Sequence, residues 1–487
     1  MTLNPKSRTR SETMKWKAML VFIVLLFCQN LLSQSITWQR TYKQYDYNLG
    51  KSACQTSDGN FVIVGQATGN KVFAMKINPL GDTLWSIIQN SMSNSLALSV
   101  IPTNNGGVLL TGGWTSAFVT KLSSSGQVEW TKTYVTGRIN CNEIKKTNDG
   151  GYVFCGGFVY DLEKAYICKI DSSGNLIWER IYSSLFYKEF ESIELAHDGG
   201  YIMTGAVQES EVTPGKILIF KVSETGDSVW ENRFTISTSP AGLRIRKLNQ
   251  GYLVGGLSSD SAGRTQIFTC KINLIGDTSK VVKYPTNGRN EMLGDMKVLN
   301  ENRYVLCYLR DSVTINYSAV GMIVDSSGNI LIKKNFANST YFLWGNLNTV
   351  TTIANGDLLF TGTAKITQPY GGEWVYAVRT DSLLNTPVIG INYGNEILPK
   401  DFGLLQNYPN PFNPNTTITF SLAKSGVVKI KIFDITGKEI EVKTSKYYNA
   451  GNHKFDFTAN NLSSGIYFYQ LIVDEKIKDT KKMCLLK

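Results

Sequence analysis

A repeat runs through most of this chain and leaves few architectures open. Its cleanest copy spans residues 149–182. The copy opens with Asp149-Gly150-Gly151, a turn signal. Tyr152-Val153-Phe154 follows, aromatic and β-branched, and Gly156-Gly157 closes a run that predicts a short strand. Ala165 to Ile170 predicts a second strand, and Asp171-Ser172-Ser173-Gly174-Asn175 a hairpin turn whose glycine can take a positive φ. Leu176 to Tyr182, carrying Trp178, predicts a third strand, and Asn142 to Thr147 upstream supplies another. The unit is four short antiparallel strands, with no helical period in it.

The unit recurs from Ile36 to about Asn385. Its opening turns fall at Asp58, Asn105, Asp149, Asp198, Gln250, Asn302 and Asn355. Phe61, Val108, Tyr152, Tyr201, Tyr252, Tyr304 and Leu358 follow them. Four residues later comes Gly65, Gly112, Gly156, Gly205, Gly256 or Gly362, with Tyr308 in the sixth copy. A tryptophan column runs Trp38, Trp85, Trp130, Trp178 and Trp230, then degrades to Lys280 and Ile332. A period of ~40–50 residues with four strands is that of a β-propeller blade. The ends are out of phase with the repeat. Ile36 to Tyr42 matches the last strand of a unit, and the seventh unit stops at Leu384, before its own last strand. The N-terminal strand is therefore expected to complete the seventh blade and close the ring, leaving no open edge.

Residues 170–178 resemble the tryptophan-docking repeat of quinoprotein-like propellers, which carries Asp, then Thr-Gly, then Trp four residues after the glycine. The Gly-to-Trp spacing matches here, and the Asp-to-Gly spacing is one residue shorter. The resemblance implies that the tryptophans pack between neighbouring blades. The sialidase-type Asp box fits less well, since its Trp lies three residues after the glycine. Residues 36–385 are also similar to secreted repeat proteins of Bacteroidetes-type bacteria, a resemblance that names no activity.

Charge is unevenly spread. Residues 1–35 hold five Lys/Arg against one acid, and 404–487 hold twelve Lys against seven acids, so residues 36–403 carry only +2 of the net +11. A nearly neutral propeller gives no footprint for nucleic acid. Arg8, Arg10, Lys15 and Lys17 precede an apolar run from Ala18 to Phe27, with Ser33-Gln34-Ser35 beyond. Residues 1–35 are read as a secretory signal. The run is too short for a membrane span, and no other stretch could cross a bilayer. Cys28 follows Phe27, where a lipid-anchor signal needs a small residue.

Seven cysteines remain after the signal. Cys155 and Cys168 fall on adjacent strands of one blade, open either to a disulfide or to two buried thiols. No CxxC pair supports zinc, and the two histidines, His197 and His453, leave no basis for a triad or a metal site. No cofactor is implied and no catalytic constellation is found. Carboxylate catalysis stays open.

The turns within the hairpins are constant, whereas the second-to-third-strand and inter-blade connections vary. That variable end holds Tyr45, Tyr47, Phe186, Tyr187, Phe190, Tyr341, Phe342 and Trp344. These aromatics are the candidate binding face, loops on a rigid scaffold being where function concentrates. The alternative is that they pack the blade ends.

Residues 386–403 read as a linker, and 404–487 as a small Ig-like β-sandwich of short strands. The latter resembles the C-terminal sorting domain of type IX secretion cargo. The resemblance rests on Tyr408-Pro409-Asn410-Pro411-Phe412, on Ile432 to Gly437 with Asp434, on Leu462 to Tyr467 with Gly465, and on Lys481-Lys482. It implies recognition by the type IX translocon at the outer membrane. The expected protein is therefore a secreted or surface-displayed propeller that binds an extracellular glycan or protein. The alternative is an extracellular polysaccharide hydrolase or lyase using loop carboxylates. A quinoprotein dehydrogenase is the weakest reading, because the adjacent-cysteine pair of some members is absent.

Overall fold

The constant turns all close hairpins, and the hairpins stack into blades. The computed structural model describes residues 36–43, 47–89, 95–237, 240–311, 318–336, 342–366, 372–387, 402–424, 426–448, 451–460 and 462–487. It is all-β, with no helical segment among these residues. The chain divides into two compact units, Met1–Ile391 and Asn392–Lys487.

The first unit is a seven-bladed β-propeller. Six blades are continuous in sequence, at 48–89, 96–136, 139–183, 187–234, 241–283 and 291–336, each a four-stranded antiparallel sheet in chain order. The seventh combines three strands from 342–380 with Trp38–Tyr42, which pairs antiparallel to Gly372–Thr380 in the register Trp38↔Arg379 to Tyr42↔Val375. The ring is thus closed by its own N-terminus. The core is a circle of clusters between blades rather than one central mass. Phe61, Phe73 and Met75 of the first blade, for instance, bury against Trp38, Leu359 and Val375 of the seventh.

The tryptophan column clamps each blade to the next. The rings of Trp38, Trp85, Trp130, Trp178 and Trp230 lie against Gly81, Gly126, Gly174, Gly226 and Gly276 in the outer hairpin turn of the following blade, where a Cβ would sit within 3.0 Å of the indole. Trp38, Trp85 and Trp178 also donate their indole N–H to the carbonyls of Pro79, Ser124 and Glu224, each at 3.0 Å. The tyrosine four residues on completes the clamp. Tyr42 and Tyr134 donate their hydroxyls at 2.8 Å to the carbonyls of Gly81 and Gly174, and Tyr182 to that of Gly226.

Where the column degrades, the contact is rebuilt. Lys280 donates to the Ser327 carbonyl at 2.8 Å, and Val282 covers Gly328. In the seventh blade the turn glycine is itself replaced by Leu384, buried at a φ of 60°. Ile332 packs against the cluster that Leu384 enters. A larger turn residue fills the space that the missing indole leaves, at the cost of a strained leucine.

The seven cysteines among the described residues are all free. Cys155 and Cys168 form no disulfide, because they sit on opposite faces of their sheet. Cys155 enters the core toward the fourth blade and Cys168 that toward the second. They are small core residues, as the second reading has it.

The second unit has two sheets. One holds Gly403–Leu404, Asn415–Leu422 and Gly451–Thr458. The other is ordered Glu439–Tyr448, Gly426–Asp434, Gly465–Val473, Lys476–Leu485. Ile418, Phe420, Ile430, Ile432, Tyr469 and Leu471 are among the residues that fill the space between them.

Candidate functional site

The inner strand of every blade carries a β-bulge at the same place. Its register slips between Gly50 and Ser52, Ala97 and Ser99, Cys141 and Glu143, Phe190 and Ser192, Gly242 and Arg244, Leu293 and Asp295, and Leu347 and Thr349. The glycine column of the repeat is the partner of this bulge. A Cβ on Gly156 would meet the Asn140 carbonyl at 1.8 Å, and Gly65, Gly112, Gly205, Gly256 and Gly362 face their inner strands within 2.0 Å in the same way. In the sixth blade Tyr308 takes the column's place, and Gly294, inside the bulge, makes the close approach instead, against the Leu347 carbonyl.

A bulge re-aims the side chain after it. The residues following the seven bulges are Ser52, Ser99, Glu143, Ser192, Arg244, Asp295 and Thr349, all hydrophilic. They form a ring around the propeller axis. An inner strand is a sheet edge with N–H groups left over, and this ring satisfies them across blades. Ser99 Oγ accepts from the Ile144 N–H at 3.3 Å, Glu143 Oε2 from Ile193 at 3.2 Å, Ser192 Oγ from Ile245 at 3.1 Å and Asp295 Oδ2 from Val350 at 3.2 Å.

Arg246 lies at the centre of a buried ion network. Its guanidinium reaches Glu143 at 3.1 Å and Asp295 at 2.6 Å, donates through Nε to the Met296 carbonyl at 2.8 Å, and donates to Ser192 Oγ at 3.1 Å. Ser192 in turn donates to Glu143. Lys145 bridges Glu143 at 3.5 Å and Glu194 at 3.2 Å. Burial alone would raise the carboxyl groups, but the surrounding cations outweigh it. Arg246, then Lys145, Lys297 and Arg244, hold Glu143 well below the usual carboxylate range. Lys297, Arg246 and Arg244 hold Asp295 down to about 2. The network borders an axial opening of about 100 Å³, lined by Lys51, Lys145, Arg244, Arg246 and Lys297 with Glu143 and Asp295.

Glu191, the extra residue of the fourth blade's bulge, behaves oppositely. Burial, then repulsion from Glu189, pushes its carboxyl up to about 8 against the pull of Arg244. The folded protein holds this proton from about pH 4.5 to about pH 8 while the unfolded chain has released it, so the group lowers stability as pH rises through that window. Glu191→Gln is expected to match the wild type near pH 4.5 and to be more stable by about 4 kcal/mol near pH 8. Urea unfolding at both pH values measures this. Equal differences at the two would show that Glu191 ionises normally.

The structure turns one residue of the candidate binding face inward. Phe190 is buried between Tyr182 and Phe220, at ring-centroid distances of 5.9 and 5.3 Å, because it lies within the inner strand Tyr187–Leu195 rather than in the connection before it. Phe190 is therefore withdrawn from the face. Tyr187 is half-buried and donates to Glu189 at 2.5 Å. Tyr47, also half-buried, bridges to Glu373. Phe186 is exposed. Tyr45 and Tyr341 lie outside the described residues, and for Phe342 and Trp344 only the strand position, within Phe342–Thr352, is described. The axial ring went unseen in the sequence reading although it left a signal: a hydrophilic residue six positions before the opening turn in six copies, and seven before it in the sixth copy, where a second slip at Val298/Asn300 adds a residue.

In the second unit the motif residues tie the C-terminal strand in place. Phe412 is buried, donates its N–H to the Cys484 carbonyl at 3.0 Å and accepts from the Leu486 N–H at 3.0 Å. Asn410 Oδ1 accepts from the Cys484 N–H at 2.7 Å. The Pro409 carbonyl accepts from Thr416 Oγ1 at 2.8 Å. Tyr408 is exposed, and Pro411 stands between Asn410 and the buried Phe412. Asp434 caps its hairpin by accepting from the N–H groups of Thr436 and Lys438 at 2.8 and 3.0 Å, with Gly437 at a φ of 82°. Tyr467 donates to the Ser463 carbonyl at 2.7 Å, and Gly465 opens its strand.

Residues 406–485 match the family model described as a secretion system C-terminal sorting domain. The chain carries that domain. No curated protein matches the sequence. Solved structures similar to it include a protein of unknown function from Bacteroides caccae, at 14% identity over 56% of this chain and 93% of that one, with a TM-score of 0.39. PorZ, a surface component of the type-IX secretion system of Porphyromonas gingivalis, is 13% identical over 88% of this chain, with a TM-score of 0.40, and the match spans 58% of PorZ. The β-propeller domain of the Trilobed protease from Pyrococcus furiosus is 10% identical over 72% of this chain and all of that domain, with a TM-score of 0.41.

Proposed function

We propose that this protein is cargo of the type IX secretion system. Residues 1–35 direct it to the periplasm, residues 404–487 are read by the outer-membrane translocon, and the propeller is delivered outside as a binding module for an extracellular glycan or protein. The observation that carries this reading is the sorting-domain match at 406–485, on a segment that folds around its own core. The motif residues support it in a specific way. They brace the last strand, so the face offered to a receptor includes the ordered C-terminus. A tag that folds by itself can be recognised regardless of what precedes it, and the cut that removes it is expected in the linker between Thr386 and Gln406.

Cell fractionation in a bacterium with a working type IX system tests the export step. A chain ending at Asn385 is expected to stay in the periplasm, and residues 404–487 fused to an unrelated folded protein are expected to carry it outside. Export of the truncated chain at the normal level would make the second unit an adhesive or structural domain instead. A glycan array run beside a polysaccharide-degradation screen separates binding from turnover. Release of reducing ends would favour the hydrolase or lyase reading.

A further inference from the structure

The axial ring holds more positive charge than its own carboxylates serve, and we infer that the opening it surrounds is a binding site for a small oxyanion. This deepens the binding role proposed for the propeller, and it rests on that reading only for where the anion is met.

Five cations and two carboxylates line the opening. Asp295 Oδ1 accepts from Arg246 at 2.6 Å and from the Met296 N–H at 2.7 Å, and Oδ2 accepts from Thr349 at 3.1 Å and from the Val350 N–H at 3.2 Å. Those four bonds use the lone-pair sites a carboxylate has. Glu143 is similarly committed to Arg246, Ser192 and the Ile193 N–H, with Lys145 beside it.

Arg244 and Lys297 are left at the margin of Asp295, at 3.5 and 3.8 Å. Lys51, on the first blade, makes no hydrogen bond or ion pair among the described residues, and the nearest opposing charge acting on it is Glu373. Glu373 is itself engaged by the Tyr47 hydroxyl. Glu194 does not line the opening and serves Lys145. Glu191, beside Arg244, has its carboxyl pushed up by burial and by Glu189, which disfavours its charged form. Arg244, Lys297 and Lys51 thus come from three different blades onto one opening, the first two sharing Asp295 with Arg246 and the third without a direct partner among the described residues.

Like charges facing one opening repel unless something negative lies between them. Burial already pushes the Lys297 and Lys51 ammonium groups down. An oxyanion in the opening relieves this directly. A planar guanidinium and flexible ammonium groups suit a carboxylate, sulfate or phosphate. The opening has about 100 Å³ of space for water-sized groups, several times what one ordered water needs and room for a small anion. The anion is either a free inorganic ion or the acid group of a larger solute such as an acidic sugar.

Isothermal titration of the purified full-length protein with sodium sulfate, phosphate, acetate and glucuronate, at constant ionic strength and with glucose as neutral control, tests the assignment. At least one anion is expected to bind saturably with one site per chain. Preference for sulfate or phosphate points to the free ion, and preference for glucuronate over acetate to an acidic sugar. Lys297→Met and Lys51→Met are each expected to weaken that binding about tenfold. Should either variant fold poorly, the wild-type melting temperature supplies an independent readout, since it is expected to rise with the bound anion above its value in equivalent chloride. No saturable binding of any of the four, or equal affinity in two well-folded variants, would overturn the site. The measurement is made in solution, so a negative result leaves the export reading standing, and a failure of export leaves the site standing.

Discussion

A chain lacking residues 36–42 is expected to lose about 5 kcal/mol or more of propeller stability and to associate at micromolar concentration. Those seven residues do three jobs at once. They are the outer strand of the seventh blade, paired along its whole length with Gly372–Thr380. They bury Trp38 and Tyr42 in the core shared with the first blade, worth about 2–3 kcal/mol for each large side chain. They also reach across that seam, where Arg40 pairs with Asp82 at 3.0 Å and Tyr42 donates to the Gly81 carbonyl at 2.8 Å. Without them, Gly372–Thr380 becomes an unpaired edge, which is a template for intermolecular pairing. Urea unfolding followed by tryptophan fluorescence, with light scattering on the native sample, measures both effects. A monodisperse monomer of unchanged stability would show that the ring holds without its N-terminal clasp.

Arg246→Met is expected to cost about 3–5 kcal/mol, the usual penalty for leaving a buried partner charge unpaired. The guanidinium, carried by the fifth blade, touches Glu143 of the third, Ser192 of the fourth and Asp295 and Met296 of the sixth. Its removal takes the closest cation from two buried carboxylates, leaving them only the longer contacts to Lys145, Arg244 and Lys297, and loosens four blades at the axis. The mechanism makes a second demand. Adding Glu143→Gln and Asp295→Asn to the same chain removes the stranded charges and should restore most of the loss. A single-variant cost below about 1 kcal/mol would mean that the backbone bonds of the ring carry the axis without the ions. No recovery in the triple variant would mean that packing, not charge, was lost.

Much of the propeller was legible because its signals are local. Each turn is written in its own residues, Asp149-Gly150-Gly151 or Asp171 to Asn175, and each strand alternates over a few positions. The out-of-phase ends needed only a comparison of Ile36–Tyr42 with Ile177–Tyr182 to predict closure. The docking column was legible for the same reason, since Trp85, Trp130, Trp178 and Trp230 each stand four residues after a turn glycine, as Trp178 does after Gly174. Its degradation was misleading on its own. Lys280 and Ile332 look like lost contacts in sequence, whereas Ser327 and Leu384 receive them in the fold.

The aromatic face and the axial ring divide along a different line. Phe190 sits in a run, Phe186 to Phe190, that reads as an exposed connection. Whether it faces water depends on where the inner strand begins, and a shift of one residue exchanges the two faces of a strand. The bulge adds that one residue in every blade, which turns Ser192 to the axis and leaves Phe190 in the core. Repeat number, strand phase, ring closure and the sorting tag were therefore determined by the sequence itself, because each is carried by residues close together in the chain. The charge balance at the axis was decided only by the tertiary structure. Lys51, Glu143, Arg244, Arg246, Asp295 and Lys297 come from four blades, and as separate positions in a nearly neutral chain they predict nothing. Closing the ring brings them into one poorly hydrated space, where each charge must be answered by another.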